Sequence, residues 1–221
     1  MRFNFVLLTF CLFFVAAVSL SAQNYSLGFT TGTSYSTLSS DLFSTSSGRL
    51  GGVVGCAFFI GISEKLEFNQ EIVYTQKGGA AKTVVFQPEN APAERLYNYY
   101  YHTFETGTFL GYRPFREIPV QIQAGGYFGS HFHNMNRTQR DQFVGDYRQI
   151  QNAVKAVDLN DAFTGLDFGP TVGISAGDDR FRVHARYYYG VKNMFNNLDF
   201  MEPGHTIKSS SIRLTLTYFL R

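Results

Sequence analysis

The chain has 221 residues, a formal net charge of +2, 17% aromatic residues supplied by Tyr and Phe with no Trp, and two cysteines. The near-neutral balance, with no basic run, argues against a nucleic-acid partner. Only Cys56 lies beyond the leader, which excludes an internal disulfide there, and the roughly 200 residues that remain suit one all-β domain.

Arg2 supplies a positive start, Phe5 to Val18 form a short apolar run, and Ser19-Leu20-Ser21-Ala22 offers small residues for cleavage. Residues 1–22 are therefore expected to be a secretory signal and residues 23–221 the mature domain. The apolar run is too short for a spanning helix, which needs about 20 apolar residues. Phe10 before Cys11 leaves no small residue where lipidation requires one.

Period-two alternation then predicts eight strands. They run Asn24–Tyr35, Arg49–Ile62, Leu66–Lys77, Leu96–Tyr112, Ile118–His133, Ala162–Ser175, Phe181–Tyr189 and Ile207–Leu220. Short turn-like connections, 63–65, 113–117 and 176–180, alternate with long ones, 36–48, 78–95, 134–161 and 190–206. Strict alternation of short turns and long loops is the habit of transmembrane barrels, where an even strand count also returns both termini to the periplasm. A Greek-key sandwich has no reason to sort its connections in this way.

The last strand sets Ile212, Leu214, Leu216, Tyr218 and Leu220 against Arg213, Thr215, Thr217 and Phe219, and the strands before it repeat the division. An apolar face toward lipid and a polar face toward the lumen is the barrel pattern. Alternation alone leaves a soluble, lipocalin-like barrel open as the inside-out alternative. Segment length favours the membrane, because about 9–11 residues are needed to cross a bilayer at a tilt. Tyr97, Tyr99, Tyr100, Tyr101, Tyr187 and Tyr189 on one rim, with Tyr112, Phe115 and Tyr218 on the other, read as two aromatic belts.

On this assignment Glu67, Glu71, Glu105 and Asp167 point inward together with Arg182, Arg186 and Arg213. An eight-stranded barrel is just wide enough for side chains to fill it, so these charges are expected to pair and plug the interior. His131 and His133 share a face, but no carboxylate or cysteine at diagnostic spacing accompanies them, and no metal or cofactor is expected. Ser130 and His131 are adjacent and point apart, and no Gly-x-Ser-x-Gly elbow occurs, so no catalytic site is expected. Phe143, Tyr147, Ile150, Val154 and Val157 recur at helical spacing and predict an amphipathic helix in the third long loop.

Several motifs in order carry a resemblance: Gly28-Phe29-Thr30-Thr31-Gly32, Glu71 to Gly78, Ile118-Pro119-Val120, Gly125 to Gly129, Asp167 to Gly173, and Tyr189-Gly190-Val191-Lys192-Asn193. The chain resembles the PorT-like outer-membrane barrel proteins, although it ends on Arg221 after Leu220 rather than on an aromatic. The resemblance implies location more than activity. The resulting expectation is an all-β protein, an eight-stranded antiparallel up-and-down transmembrane β-barrel of the bacterial outer membrane. Its expected partners are outer-membrane lipid and a protein met through the extracellular loops. It is expected to be a non-enzymatic monomer serving surface interaction, envelope integrity or secretion, with a solute-passing barrel as the alternative.

Overall fold

The computed structural model describes residues 25–40, 46–87, 90–115, 117–132, 143–144, 154–155, 164–194 and 207–220, with no side chain described between 81 and 99. The expected signal segment and His133 lie outside these residues. The strands are β1 (Tyr25–Ser40), β2 (Ser46–Gly61), β3 (Leu66–Gln87), β4 (Asn90–Tyr112), β5 (Val120–Phe132), β6 (Phe143–Val144), β7 (Val154–Lys155), β8 (Leu166–Gly177), β9 (Phe181–Tyr189) and β10 (Ile207–Leu220). Eight of them close into one antiparallel barrel in the order β1-β10-β9-β8-β5-β4-β3-β2, and β6 pairs with β7 apart from it. The sandwich alternative falls with that order.

The register fixes the shape. Thr31 leads through Val54, Tyr74 and Phe104 to Ser130 on β5, while in the other direction it leads through Leu216, Val183 and Ala176 to Val120. The two arrivals differ by ten residues, so the ladder closes with a stagger and its strands tilt, by about 35–45° in barrels of this kind. Side chains adjacent in the lumen therefore come from positions far from one another in the pairing register.

The short connections have local chemistry of their own. Asp178 Oδ1 accepts from the backbone N–H groups of Arg180 and Phe181 at 2.8 Å each, tightening the β8–β9 turn, and Ser63 Oγ accepts from Leu66 N at 3.1 Å between β2 and β3. We call the end holding these turns, Tyr25 and Leu220 the turn end, and the opposite end the hairpin end.

The barrel wall is apolar outside and polar inside. On β10, Leu214 is 55% exposed while Arg213 beside it is 3% exposed, and the outward series continues through Ile212, Leu216, Tyr218 and Leu220. Ile72, Ile122, Phe128, Val172, Ile174 and Val183 extend this belt around the other strands. A soluble barrel would have these residues inside, because a continuous exposed apolar surface of that extent is unstable in water. The lipocalin-like alternative is thereby excluded.

Three expectations about the connections are corrected. The segment 78–95 is not a loop: β3 and β4 pair continuously from Leu66↔Tyr112 to Ala93↔Val85 and on to Gln87↔Asn90, forming a long hairpin. Gly78 and Gly79, read as breakers, sit opposite Tyr100 and Tyr99, and Thr83-Val84-Val85-Phe86 is a run with strong strand preference. β1 continues to Ser40 because its serines bond within the sheet. Ser36 Oγ donates to Gly78 O at 2.9 Å and accepts from Gly78 N at 2.8 Å, while the Thr37 and Ser210 hydroxyls meet at 2.8 Å. The helix expected over 143–157 is absent where the chain is described, since Phe143 pairs with Lys155 and Val144 with Val154 as strands. Aromatic and β-branched residues favour that pairing over a helix turn.

Candidate functional site in the barrel lumen

Alternation along the strands delivers the charged residues to the lumen, and glycines make room there for large inward side chains. A Cβ on Gly107 would stand 2.5 Å from the Phe109 ring, and one on Gly173 would stand 2.6 Å from Cγ of Arg186. The seven residues singled out from sequence all lie inside, and the structure sorts them into three groups at successive depths.

Nearest the turn end, Arg182 pairs with Glu67. The Arg182 guanidinium lies over both the Phe59 and Phe219 rings, at 5.0 and 5.1 Å from their centroids, and those rings meet edge to face at 5.0 Å. Below this floor a cleft of about 630 Å³ opens between Phe59, Lys65, Glu67, Arg113, Asp179 and Arg182.

Four residues further along both strands, Arg186 Nη1 donates to Glu71 Oε1 at 2.7 Å and its Nε donates to Gln123 Oε1 at 2.7 Å. Nη2 stands 2.8 Å from His184 Nδ1. A guanidinium can only donate, so His184 Nδ1 accepts and its ring proton sits on Nε2. The same guanidinium lies 4.2 Å from the Phe109 centroid. Every polar edge of Arg186 is thus turned to a specific partner, and one of its faces is covered by a ring.

Toward the hairpin end, Glu105 takes Arg213 on one oxygen and Lys77 on the other, the latter at 2.5 Å. Asp167 Oδ2 accepts from Tyr127 Oη at 2.8 Å and from Ser209 Oγ at 2.5 Å, and lies 3.8 Å from Lys77 Nζ. The Arg213 guanidinium covers the Tyr188 ring at 3.9 Å, and Lys77 approaches the Tyr127 ring at 4.9 Å. Above them Leu38, Tyr101, Met194 and Ile207 are buried, with Tyr101 Oη 3.9 Å from Met194 Sδ. Tyr101 is therefore a cap of the lumen and not a member of the outer aromatic belt, whereas Tyr100, Tyr187 and Tyr189 face outward.

Lys77 is the residue the sequence reading missed. With it the described residues of the interior include four cations, Lys77, Arg182, Arg186 and Arg213, against four carboxylates, Glu67, Glu71, Glu105 and Asp167. Its signal was available, because 67, 69, 71, 73, 75 and 77 share one parity on β3. Gln123, Tyr127, His184 and Ser209 share the inward parity of their strands in the same way, but parity names no partner for any of them.

The histidines do not converge. His131 lies inside near Thr103 and Asp167, His184 lies deeper beside Arg186, and His102 faces outward against Tyr74. Among the described residues no three His, Cys, Asp or Glu side chains gather as a metal site.

A closed, tilted eight-stranded barrel with an apolar outer belt and charges paired inside is the architecture of an outer-membrane barrel protein. The chain belongs to the outer membrane protein beta-barrel domain family, whose model matches residues 21–196. β10 lies beyond that match and closes the barrel through its pairing with β1 and β9. Among solved structures the chain is similar to Neisserial surface protein A, at 14% identity over 89% of this chain and 99% of that one, with a TM-score of 0.46. It is also similar to Ail, the attachment invasion locus protein of Yersinia pestis, at 10% identity over 90% and 100%, TM-score 0.43. OprG of Pseudomonas aeruginosa matches at 11% identity over 89% and 94%, TM-score 0.39. No curated protein matches the sequence. The protein is therefore one of the bacterial outer membrane.

Proposed function

We propose that this is a non-enzymatic surface protein of the outer membrane, of the PorT-like kind, which meets a protein partner through its long hairpin while its lumen passes no solute. In this reading residues 1–22 are removed on export, residues 23–221 form the barrel, both termini face the periplasm, and the hairpin end faces outward. The extended β3–β4 hairpin and the long segments 133–165 and 190–206 at one end, against the short turns 62–65 and 178–180 at the other, support that orientation.

The observation that carries the reading is the length of β4. Its pairing with β5 ends at His102↔Phe132, whereas its pairing with β3 continues to Asn90. The β3–β4 hairpin thus runs to Gln87↔Asn90, past the described β4–β5 ladder, and a projecting segment of this kind offers a binding surface. The three ion-pair groups stacked along the lumen support a structural interior, since conduction would require breaking paired charges that are costly to separate.

Trypsin applied to intact cells tests the orientation at Lys82 and Arg95. Cleavage in that hairpin on intact cells is expected, and protection until lysis would overturn the outward placement. Purified protein in planar bilayers is expected to give no unitary conductance steps. Regular steps abolished by closing the lumen would instead favour the solute-passing alternative.

A further inference from the structure

Small and polar residues interrupt the lipid-facing belt at Thr31, Thr33 and Gly52 on β1 and β2, and again on β3, β4, β5 and β8, where the row includes a carboxamide. On β3 the outward series is Leu66, Phe68, Gln70, Ile72 and Tyr74, and on β4 it is Tyr112, Leu110, Thr108, Thr106 and Phe104. Gln70 and Thr108 are the middle members of their series and stand opposite each other in the register. The same cross-strand row continues from Thr108 to Gly126 on β5 and from Gly126 to Pro170 on β8. The row above it runs Ile72, Thr106, Phe128, Phe168, and the row below runs Phe68, Leu110, Ala124, Val172. One row of Gln, Thr, Gly and Pro thus forms a shallow trough between two rows with large apolar side chains. A Cβ on Gly126 would have only Gly169 O near it, at 3.5 Å, so nothing in the wall itself requires the missing side chain.

The amide at the end of the trough is partly satisfied. Gln70 Nε2 donates to Thr106 Oγ1 at 2.6 Å, and Thr108 Oγ1 donates to Gln70 Oε1 at 2.6 Å. These bonds use one of the two amide N–H donors and one of the two acceptor positions, which leaves one of each. At mid-belt no water is available to take them, and an unmet polar group in hydrocarbon is costly.

From this we propose that the β3–β4–β5 wall is a lateral contact between two copies of this chain, paired about a two-fold axis along the membrane normal. A carboxamide with one free donor and one free acceptor is complementary to itself, so Gln70 of each copy fills the other's remaining positions. An isologous interface requires that self-complementarity. The small residues let two convex walls approach, as small residues do between spanning helices, and the flanking Phe68, Leu110, Ile72 and Phe104 close around the polar centre. In this proposal a pair in the membrane plane takes the place of the monomer expected from sequence, and the inward charges are unaffected by it.

The test uses the mature protein, residues 23–221, folded in lipid vesicles, with Cys56→Ser as a cysteine-free background. A single Thr108→Cys is expected to cross-link two copies under mild oxidation, and a single Val183→Cys on the opposite wall to give only the collisional level. Gln70→Leu, read by energy transfer between labelled copies as protein is diluted in lipid, is expected to weaken pairing about tenfold while the heat-modifiable gel shift of the folded barrel is kept. Equal cross-linking at the two walls overturns the proposal, as does pairing unchanged by Gln70→Leu. Adducts of Thr108→Cys with a different protein in cells, without a dimer, would also overturn it, because they assign the trough to another occupant.

Discussion

Near the turn end one ion pair, Glu67–Arg182, is held between Phe59 and Phe219, and its side chains retain 16% and 9% exposure. Near the hairpin end Lys77, Glu105, Asp167 and Arg213 share partners at 1–3% side-chain exposure or less, with Tyr127 and Ser209 filling acceptor positions. The difference is one of how much water remains to help. A pair that water still reaches needs little more than one partner and an apolar clamp. A fully enclosed charge needs more partners, since desolvation costs several kcal/mol per ion, and even here Arg213 Nε and Asp167 Oδ1 have no hydrogen-bond partner among the described residues. The interior therefore becomes more elaborate where it becomes drier.

Substitutions should follow that gradient. The largest effect is expected for Glu105→Gln, which leaves Lys77 and Arg213 without their shared anion and should cost about 3–5 kcal/mol in urea unfolding of the lipid-folded protein. A loss under about 1 kcal/mol would mean that the hairpin end is wetter than its burial implies. Arg186→Ala strands Glu71, Gln123 Oε1 and His184 Nδ1 together, and should cost about 3 kcal/mol while the barrel still forms. An unchanged melting temperature would place Arg186 outside any stabilising group. Tyr127→Phe removes one bond to the Asp167 carboxylate and leaves Ser209 in place, so a loss of about 1.5 kcal/mol is expected.

The smallest effect belongs to Glu67→Gln at the partly wet floor, at about 1 kcal/mol or less. High salt sharpens the comparison. At about 1 M the screening length falls to about 3 Å, so the difference between wild type and Glu67→Gln should shrink, while that between wild type and Glu105→Gln should hold. Equal salt sensitivity at both ends would erase the distinction drawn between them.

Much of the barrel was legible in the chain before its structure. β9 and β10 begin and end where alternation placed them, and the parity that Arg182, Arg186 and Arg213 share with the other polar residues of their strands follows from it directly. Errors cluster where local composition and cross-strand bonding disagree. The serines of β1 and the glycines at 78 and 79 look like loop residues alone, yet hydroxyl bonds from Ser36 and Thr37 and the continuous pairing of β3 with β4 hold them in strands. Tyr101 was placed in a rim belt because aromatics gather there, whereas its odd parity sends it inward beneath Met194.

The sequence by itself determined the number of barrel strands and which residues share a face, because both depend on a period of two that each strand carries locally. Only the tertiary structure decided which face is inside and which cation meets which anion. Glu71 and Arg186 are 115 positions apart, as are Glu67 and Arg182. They meet because the sheet closes with a ten-residue stagger, which tilts the strands and sets the depth of each side chain in the lumen. No local pattern encodes that stagger, since it belongs to the closed ladder as a whole.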